Sequence, residues 1–375
     1  MKKKLLLSIL LSGLYMCSLA QQQKNPKPIE KLFDTADKMV DFISRGSWTI
    51  IPAVTYSPET SLGIGGRGIK VFKPKNTPDT ITRPSTLPLT FLYTLNRQAI
   101  LTGELNLWRK DNQGFLNSRL ALSDYPFKFS GIGQNVGVSQ GENYATKYVY
   151  FHLHYEQRIA RGLYLGPRYE FRTDHIYEKE PGGLLDEGNI PGSEGQRLSG
   201  IGGVLNYDTR NNIFQPTWGS FHSLSYMAFH SFIGSNFDFG QTIFDFRKYQ
   251  EVKGKHVLVG QAWLSFTNGR APFQHVSLIG GSDVMRGYFE GRYRDRHAMV
   301  YQTEYRLPIY RNLGLVLFGS AGQVAPALSD FGWGRFRFGG GMGIRYKLNK
   351  EGLNFRLDFA FGDQSAFYFG LNEVI

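Results

Sequence analysis

Over residues 335–348 charged and apolar side chains alternate. Phe336, Phe338, Met342, Ile344, Tyr346 and Leu348 share one parity, and Arg335, Arg337, Arg345 and Lys347 share the other, with Gly339, Gly341 and Gly343. A period of two belongs to a β-strand, whose side chains point to opposite faces in turn. The pattern recurs. Phe355, Leu357, Phe359 and Phe361 oppose Asn354, Arg356 and Asp358; Val149, Phe151, Leu153 and Tyr155 oppose His152, His154, Glu156 and Arg158; Leu165, Tyr169 and Phe171 oppose Arg168, Glu170 and Arg172. A sandwich core has no place for a charge at every second position of a long strand. A transmembrane antiparallel β-barrel does, with one parity in lipid and the other in a wet lumen. The competing fold is a secreted, soluble all-β protein.

The start of the chain has the grammar of export. Lys2, Lys3 and Lys4 precede an apolar run over residues 5–14, and Ser18, Leu19 and Ala20 precede a polar Gln21. That run is too short to span a bilayer as a helix and reads as a signal peptide over residues 1–20. Met16, before Cys17, is larger than a lipoprotein cleavage site accepts. Cleavage after Ala20 would lower the formal net charge from +12 to +9 and remove the only cysteine. A chain without thiols suits an oxidising compartment without needing disulfides. No later run is long and apolar enough for a membrane helix. Aromatics at 15% and 44 glycines beside a negative mean hydropathy suit a barrel, whose lumen face keeps the average polar.

Residues 21–47 form a separate periplasmic segment. After Asn25-Pro26-Lys27-Pro28, the residues Ile29, Leu32, Phe33, Ala36, Met39, Val40 and Ile43 recur at helical spacing, which predicts an amphipathic helix ending near Gly46. From Trp48 the barrel begins, and residues 48–375 divide into strands near 48–56, 61–73, 87–96, 98–109, 114–123, 146–159, 162–175, 197–209, 218–230, 237–250, 256–268, 298–307, 313–322, 335–348, 354–362 and 365–373. The count is about sixteen, and even, as single-chain bacterial barrels are. It is soft by two, because residues 313–323 are apolar on both parities. Long connections at 124–145, 176–196, 269–297 and 323–334 all fall on the extracellular side if the N-terminus is periplasmic. Residues 74–86 are unusually long and rich in Pro and Thr for a periplasmic turn.

Three stretches go beyond a generic barrel. Gly280-Gly281-Ser282-Asp283-Val284-Met285-Arg286-Gly287-Tyr288 lies inside the longest connection. Asp208-Thr209-Arg210-Asn211-Asn212, followed by Pro216 and Gly219, marks the turn between the eighth and ninth strands. The alternating run from Arg335 to Phe369 is the third. In this order they resemble the BamA/TamA family of outer-membrane assembly barrels, also called the bacterial surface antigen family. The resemblance covers residues 48–375. It implies a sixth extracellular loop whose Arg286-Gly287-Tyr288 tip folds back into the lumen, and an Asp208/Arg210 strand-turn motif with Asn212, Pro216 and Gly219. By parity Glu304 faces the lumen with Gln302 and Arg306, opposite Tyr301, Tyr305 and Leu307, which makes it the natural partner for a desolvated Arg286.

The sequence departs from the family in three places. Ser320, within Phe318-Gly319-Ser320-Ala321-Gly322, stands where the family has a second acid, so the lock is expected to weaken or to rest on Glu304 alone. About 27 residues separate the predicted cleavage point from the first strand, too few for a POTRA domain, which implies a short form. The chain ends Glu373-Val374-Ile375 rather than on an aromatic.

Catalytic chemistry has no foothold. His152 and His154 share a face without a ligand set beside them, and neither a nucleophile elbow nor a phosphate loop is present. No cofactor or nucleic-acid partner is expected. The partners expected are outer-membrane lipid, including lipopolysaccharide, and a periplasmic or outer-membrane protein. Function is expected to be insertion or translocation of proteins or lipids at the outer membrane. The alternatives are a passive pore or a structural barrel that anchors a complex. A weak seam between the first and last strands is expected from Pro52, which cannot donate to a ladder, and from Gly370 in a short last strand.

Overall fold

The computed structural model describes Glu30 and residues 48–57, 61–73, 82–136, 141–348 and 352–375. The expected signal segment and all but Glu30 of the expected N-terminal helix lie outside the described residues. The chain divides into two compact units, Met1–Gly46 and Ser47–Ile375, and the second carries all the described strands. These are β1 (Trp48–Ser57), β2 (Ser61–Phe72), β3 (Ser85–Thr94), β4 (Ala99–Trp108), β5 (Gly114–Phe129), β6 (Glu142–Ala160), β7 (Leu163–Lys179), β8 (Gln196–Asp208), β9 (Gly219–Phe229), β10 (Phe239–Glu251), β11 (Val257–Gly269), β12 (Ser277–Ile279), β13 (Tyr293–Asp295), β14 (His297–Tyr310), β15 (Leu313–Ala325), β16 (Arg337–Lys347), β17 (Asn354–Phe361) and β18 (Ser365–Leu371).

Sixteen of these strands form one antiparallel sheet in sequence order. β11 pairs with β14, because β12 and β13 make a small hairpin within the connection between them. β1 lies alongside β18, so the sheet curls round on itself. Among the described residues, however, no ladder register joins β1 to β18, whereas every other neighbouring pair of the sheet has one.

Parity sorts the side chains as a barrel requires. Leu317, Phe338, Met342, Ile344, Leu357 and Phe367 are exposed on the outer face, while Glu304, Arg345, Arg356 and Asp358 are buried inside. Large apolar groups left bare across a whole wall are a lipid-facing surface.

Two segments differ from expectation, each for a physical reason. β5, β6 and β7 run 16, 19 and 17 residues, well past the ~9–11 a tilted strand needs to cross a bilayer. The expected connection at 124–145 is therefore largely strand, with Asp124 paired to Lys147 and Phe129 to Glu142. Phe129, Tyr144, Ile176, Leu185 and Phe273 bury one another there, so the extension has an apolar cluster of its own. β15 is apolar on both parities because its inner face meets protein rather than water. Val324 packs with Met285 and Tyr288 of the long connection, and Val316 and Phe318 with Ala360 and Tyr368.

Candidate functional site

The connection between β11 and β14 does not stand out from the barrel. Its tip turns inward through residues of positive φ: Gly280, Gly281, Met285 and Gly287. The Met285 N–H donates to Gln302 Oε1 at 3.0 Å, and Ile279, Met285, Tyr288 and Tyr293 pack on Ala298, Val300 and Val324 of the wall. Gly287 is required where it stands. Its φ is +97°, and a Cβ there would come 2.6 Å from the Phe361 carbonyl. Its N–H donates to the Tyr368 hydroxyl at 3.1 Å. Tyr288 is buried and donates to the Phe338 carbonyl at 2.9 Å.

Arg286 is 2% exposed and Glu304 is fully buried. Arg286 Nη2 lies 2.6 Å from Glu304 Oε1, and Nη1 donates to Asp358. The guanidinium carbon also lies over the Phe318 ring, 3.6 Å from its centroid. Burying one guanidinium is costly, and two carboxylates plus an aromatic face are the compensation. The network extends outward. Arg306 Nη2 holds the second Glu304 oxygen at 3.0 Å, and Arg345 bridges Asp358 at 2.5 Å and Glu373 at 2.7 Å. Gly343 makes room for this. A Cβ in its place would sit 1.9 Å from Asp358 Oδ1.

The acid missing from β15 is thus supplied from β17. The expectation of a lock resting on Glu304 alone is corrected by Asp358, while the Ser320 hydroxyl has no hydrogen-bond partner among the described residues. Parity had already turned Asp358 inward; what it does not give is which inward residue meets a loop tip arriving from across the lumen. Glu373 follows the last strand, beyond the reach of alternation altogether.

The strand-turn motif lies at the other end of the barrel wall. Asp208 is buried and accepts from Arg210 Nη2 at 2.8 Å and Nε at 3.0 Å. A second guanidinium, Arg83, reaches it at 2.5 Å from the connection before β3 while lying over the Trp108 ring. Asn212 Oδ1 accepts from the N–H groups of Phe214 and Gln215, closing a tight turn. Gly219 has φ +105°, and a Cβ there would meet the Thr209 carbonyl at 2.3 Å. The Pro216 carbonyl accepts from Arg306 Nη1 at 3.3 Å, which ties this turn to the lock.

At the seam, Pro52 is paired with Gly66 of β2, and Gly370 with Arg356 of β17. Gly370 leaves space for that arginine, since a Cβ would lie 3.0 Å from Arg356 Nη2. His152 and His154 stack in the lumen with centroids 5.9 Å apart; His154 faces Glu156 at 3.1 Å. No metal-binding group of three side chains occurs among the described residues. In β13, outside the sixteen-stranded sheet, burial pushes the Tyr293 phenol up to about 12, and the Asp363 carboxylate that accepts its hydrogen bond at 2.6 Å adds to the effect.

Comparison with known proteins agrees with this architecture. Residues 81–374 match the model of the Omp85 superfamily domain. Among solved structures, BamA from Haemophilus ducreyi lacking POTRA domains 1–3 is similar, with a TM-score of 0.58, 15% identity, and coverage of 88% of this chain and 70% of that one. CdiB from Acinetobacter baumannii is similar with a TM-score of 0.55, 10% identity, and coverage of 87% of this chain and 60% of that one. At such identities the likeness is one of fold. No curated protein sequence matches the chain.

Proposed function

The chain belongs to the Omp85 superfamily and is an outer-membrane β-barrel, and from that premise we propose that it inserts or translocates proteins or lipids at the outer membrane through the β1–β18 seam. The observation that carries this reading is that, among the described residues, β1 and β18 lie side by side without a ladder register. Separating any other two strands breaks a ladder whose groups find no water in the bilayer core, whereas here that cost is largely absent. The lock then keeps the loop docked on the strands beside the seam. The lipid partner is outer-membrane lipid, including lipopolysaccharide; a protein partner would be periplasmic or in the same membrane. A passive pore fits less well, because the folded connection and its ionic network occupy the lumen beside β14–β17.

The test is to fix the seam. Cysteines replacing Ile50 on β1 and Phe369 on β18, with flanking positions scanned, should cross-link. The cross-link should lower outer-membrane protein or lipid content, and reduction should restore it. A control pair across β2 and β3 should change neither. Unchanged outer-membrane composition with a fully cross-linked seam would refute the reading.

A further inference from the structure

The connection from β15 to β16 lies partly against the outside of the barrel. Gln323 has the outward parity of Leu317, yet it is only 1% exposed. Its Oε1 accepts from the Gly332 N–H at 3.2 Å, and its Nε2 rests on the Met299 sulfur, so a polar side chain on the lipid side is spent holding the loop to the wall. Between loop and wall is a cavity of about 520 Å³ with Ala321 among its lining. Small residues thin the wall here, since Ala321 stands between Tyr301 and Phe338 in register and Gly319 and Gly340 follow below. Tyr301, Phe338, Phe336 and Trp333 surround the opening, with Phe336 6.1 Å from both Tyr301 and Trp333.

We propose that this cavity seats one acyl chain of an anionic outer-leaflet lipid, with the lipid headgroup held at Arg335. The cavity opens on the lipid-facing parity of an outer-membrane barrel, at the end of the wall that carries the long connections. Trp333 is 93% exposed, the place and residue type of an interfacial aromatic girdle. Arg335 is exposed beside it. Its Nη1 donates to the Asp330 backbone carbonyl at 2.8 Å, and its other N–H groups meet no described side chain. The Asp330 carboxylate is the acid of the same loop and tempers the site without cancelling an exposed guanidinium next to a phosphate. A chain leaving bulk lipid for this cavity gains nothing from the hydrophobic effect, because lipid tails are already apolar. Selectivity must come from ring packing and from the headgroup charge. The seat depends on the outer-membrane location alone and holds whether or not the seam opens.

The experiment uses the full chain in phosphatidylcholine nanodiscs containing brominated phosphatidylglycerol or brominated phosphatidylcholine. Emission from Trp333 is isolated as the difference between the wild type and Trp333→Phe. The anionic probe should quench that component at about fivefold lower mole fraction, the selectivity one arginine confers at a charged membrane surface. Arg335→Glu should abolish the preference, and Ala321→Phe, which fills the floor, should reduce it. If Ala321→Phe fails to fold, Arg335→Glu decides alone. Equal quenching by the two lipids, a preference that survives Arg335→Glu, or quenching of Trp333 by aqueous iodide but not by brominated lipid would each overturn the proposal.

Discussion

β5, β6 and β7 run 16, 19 and 17 residues, whereas β17 and β18 run 8 and 7. The long side is held by backbone ladders that extend beyond the bilayer and carry an apolar cluster at their end. The short side borders the unregistered seam, and the inserted loop braces it. Arg286 reaches Asp358 on β17, Gly287 reaches Tyr368 on β18, and Tyr293 reaches Asp363 in the turn between them. The difference separates two ways of holding a barrel wall. Ladder bonds are lost only by opening the wall itself, while a side-chain brace can be released by moving one loop.

The largest effect should come from removing Arg286. Arg286→Ala leaves Glu304 and Asp358 buried near each other without their shared cation, and breaking a buried pair this way costs about 3–5 kcal/mol. The barrel should still form, because the ladders are intact. Heat-modifiable migration on a gel should persist while protease access to residues 270–296 rises. Amide exchange should speed up in β17 and β18 and stay unchanged in β5–β7. Equal loosening on both sides would show that the loop braces no particular side.

Glu304→Gln and Asp358→Asn come next. Glu304 faces both Arg286 and Arg306, and Asp358 faces both Arg286 and Arg345, so each loss strands two guanidiniums in part. The Glu304 change should be the worse of the two, because that carboxylate is contacted by the loop arginine and by Arg306, which also holds the β8–β9 turn through Pro216. Combining Arg286→Ala with Glu304→Ala should cost no more than the worse single change, as expected when both remove one interaction. Additive losses in loop protection would break the pairing.

Alternation made the wall legible: the strand count, the lumen parity of Glu304 and the apolar outer face all follow from a period of two. The loop motif was legible as far as Arg286 needing a carboxylate. The second carboxylate was not, because Asp358 lies 72 residues further along the chain and meets Arg286 only when the sheet curls round. Arg83 was hidden for a related reason. It sits outside any strand, where no period fixes direction, yet it lies over Trp108 and binds Asp208. That β1 and β18 share no register among the described residues was not legible, because the pairing of the first and last strands is set by tilt and stagger summed around a closed sheet, which no single strand's alternation carries.

A smaller effect should follow Gly287→Ala. The left-handed φ and the nearby Phe361 carbonyl both oppose a Cβ, and strain of this kind costs about 1–3 kcal/mol. The tip should shift without releasing Arg286. Exchange at Tyr368 and its neighbours should rise while protease access to residues 270–296 stays close to wild type. A freed loop would mean that the glycine turn, rather than the ion pair, holds the tip.

The smallest effect should come from Arg83→Ala, and it sharpens the contrast because it removes a buried ion pair that shares no carboxylate with Arg286. Asp208 keeps Arg210, which approaches it with both Nε and Nη2 and also donates its backbone N–H at 3.0 Å. No carboxylate is left bare, so the loss should be nearer the ~1.5 kcal/mol of one charge-assisted hydrogen bond than the cost of stranding a buried charge. The Arg83 guanidinium also leaves the Trp108 face, so tryptophan emission should change slightly, a local readout of the substitution. Exchange in β17 and β18 and protease access to residues 270–296 should match the wild type, because Arg210 stays on Asp208 and keeps its place over Phe221, so the motif's links to Arg306, through Pro216 and through Phe221 and Ile375, survive. If Arg83→Ala loosens the loop as much as Arg286→Ala does, the two ends of the lumen act as one ionic unit and the side-by-side division of the wall fails.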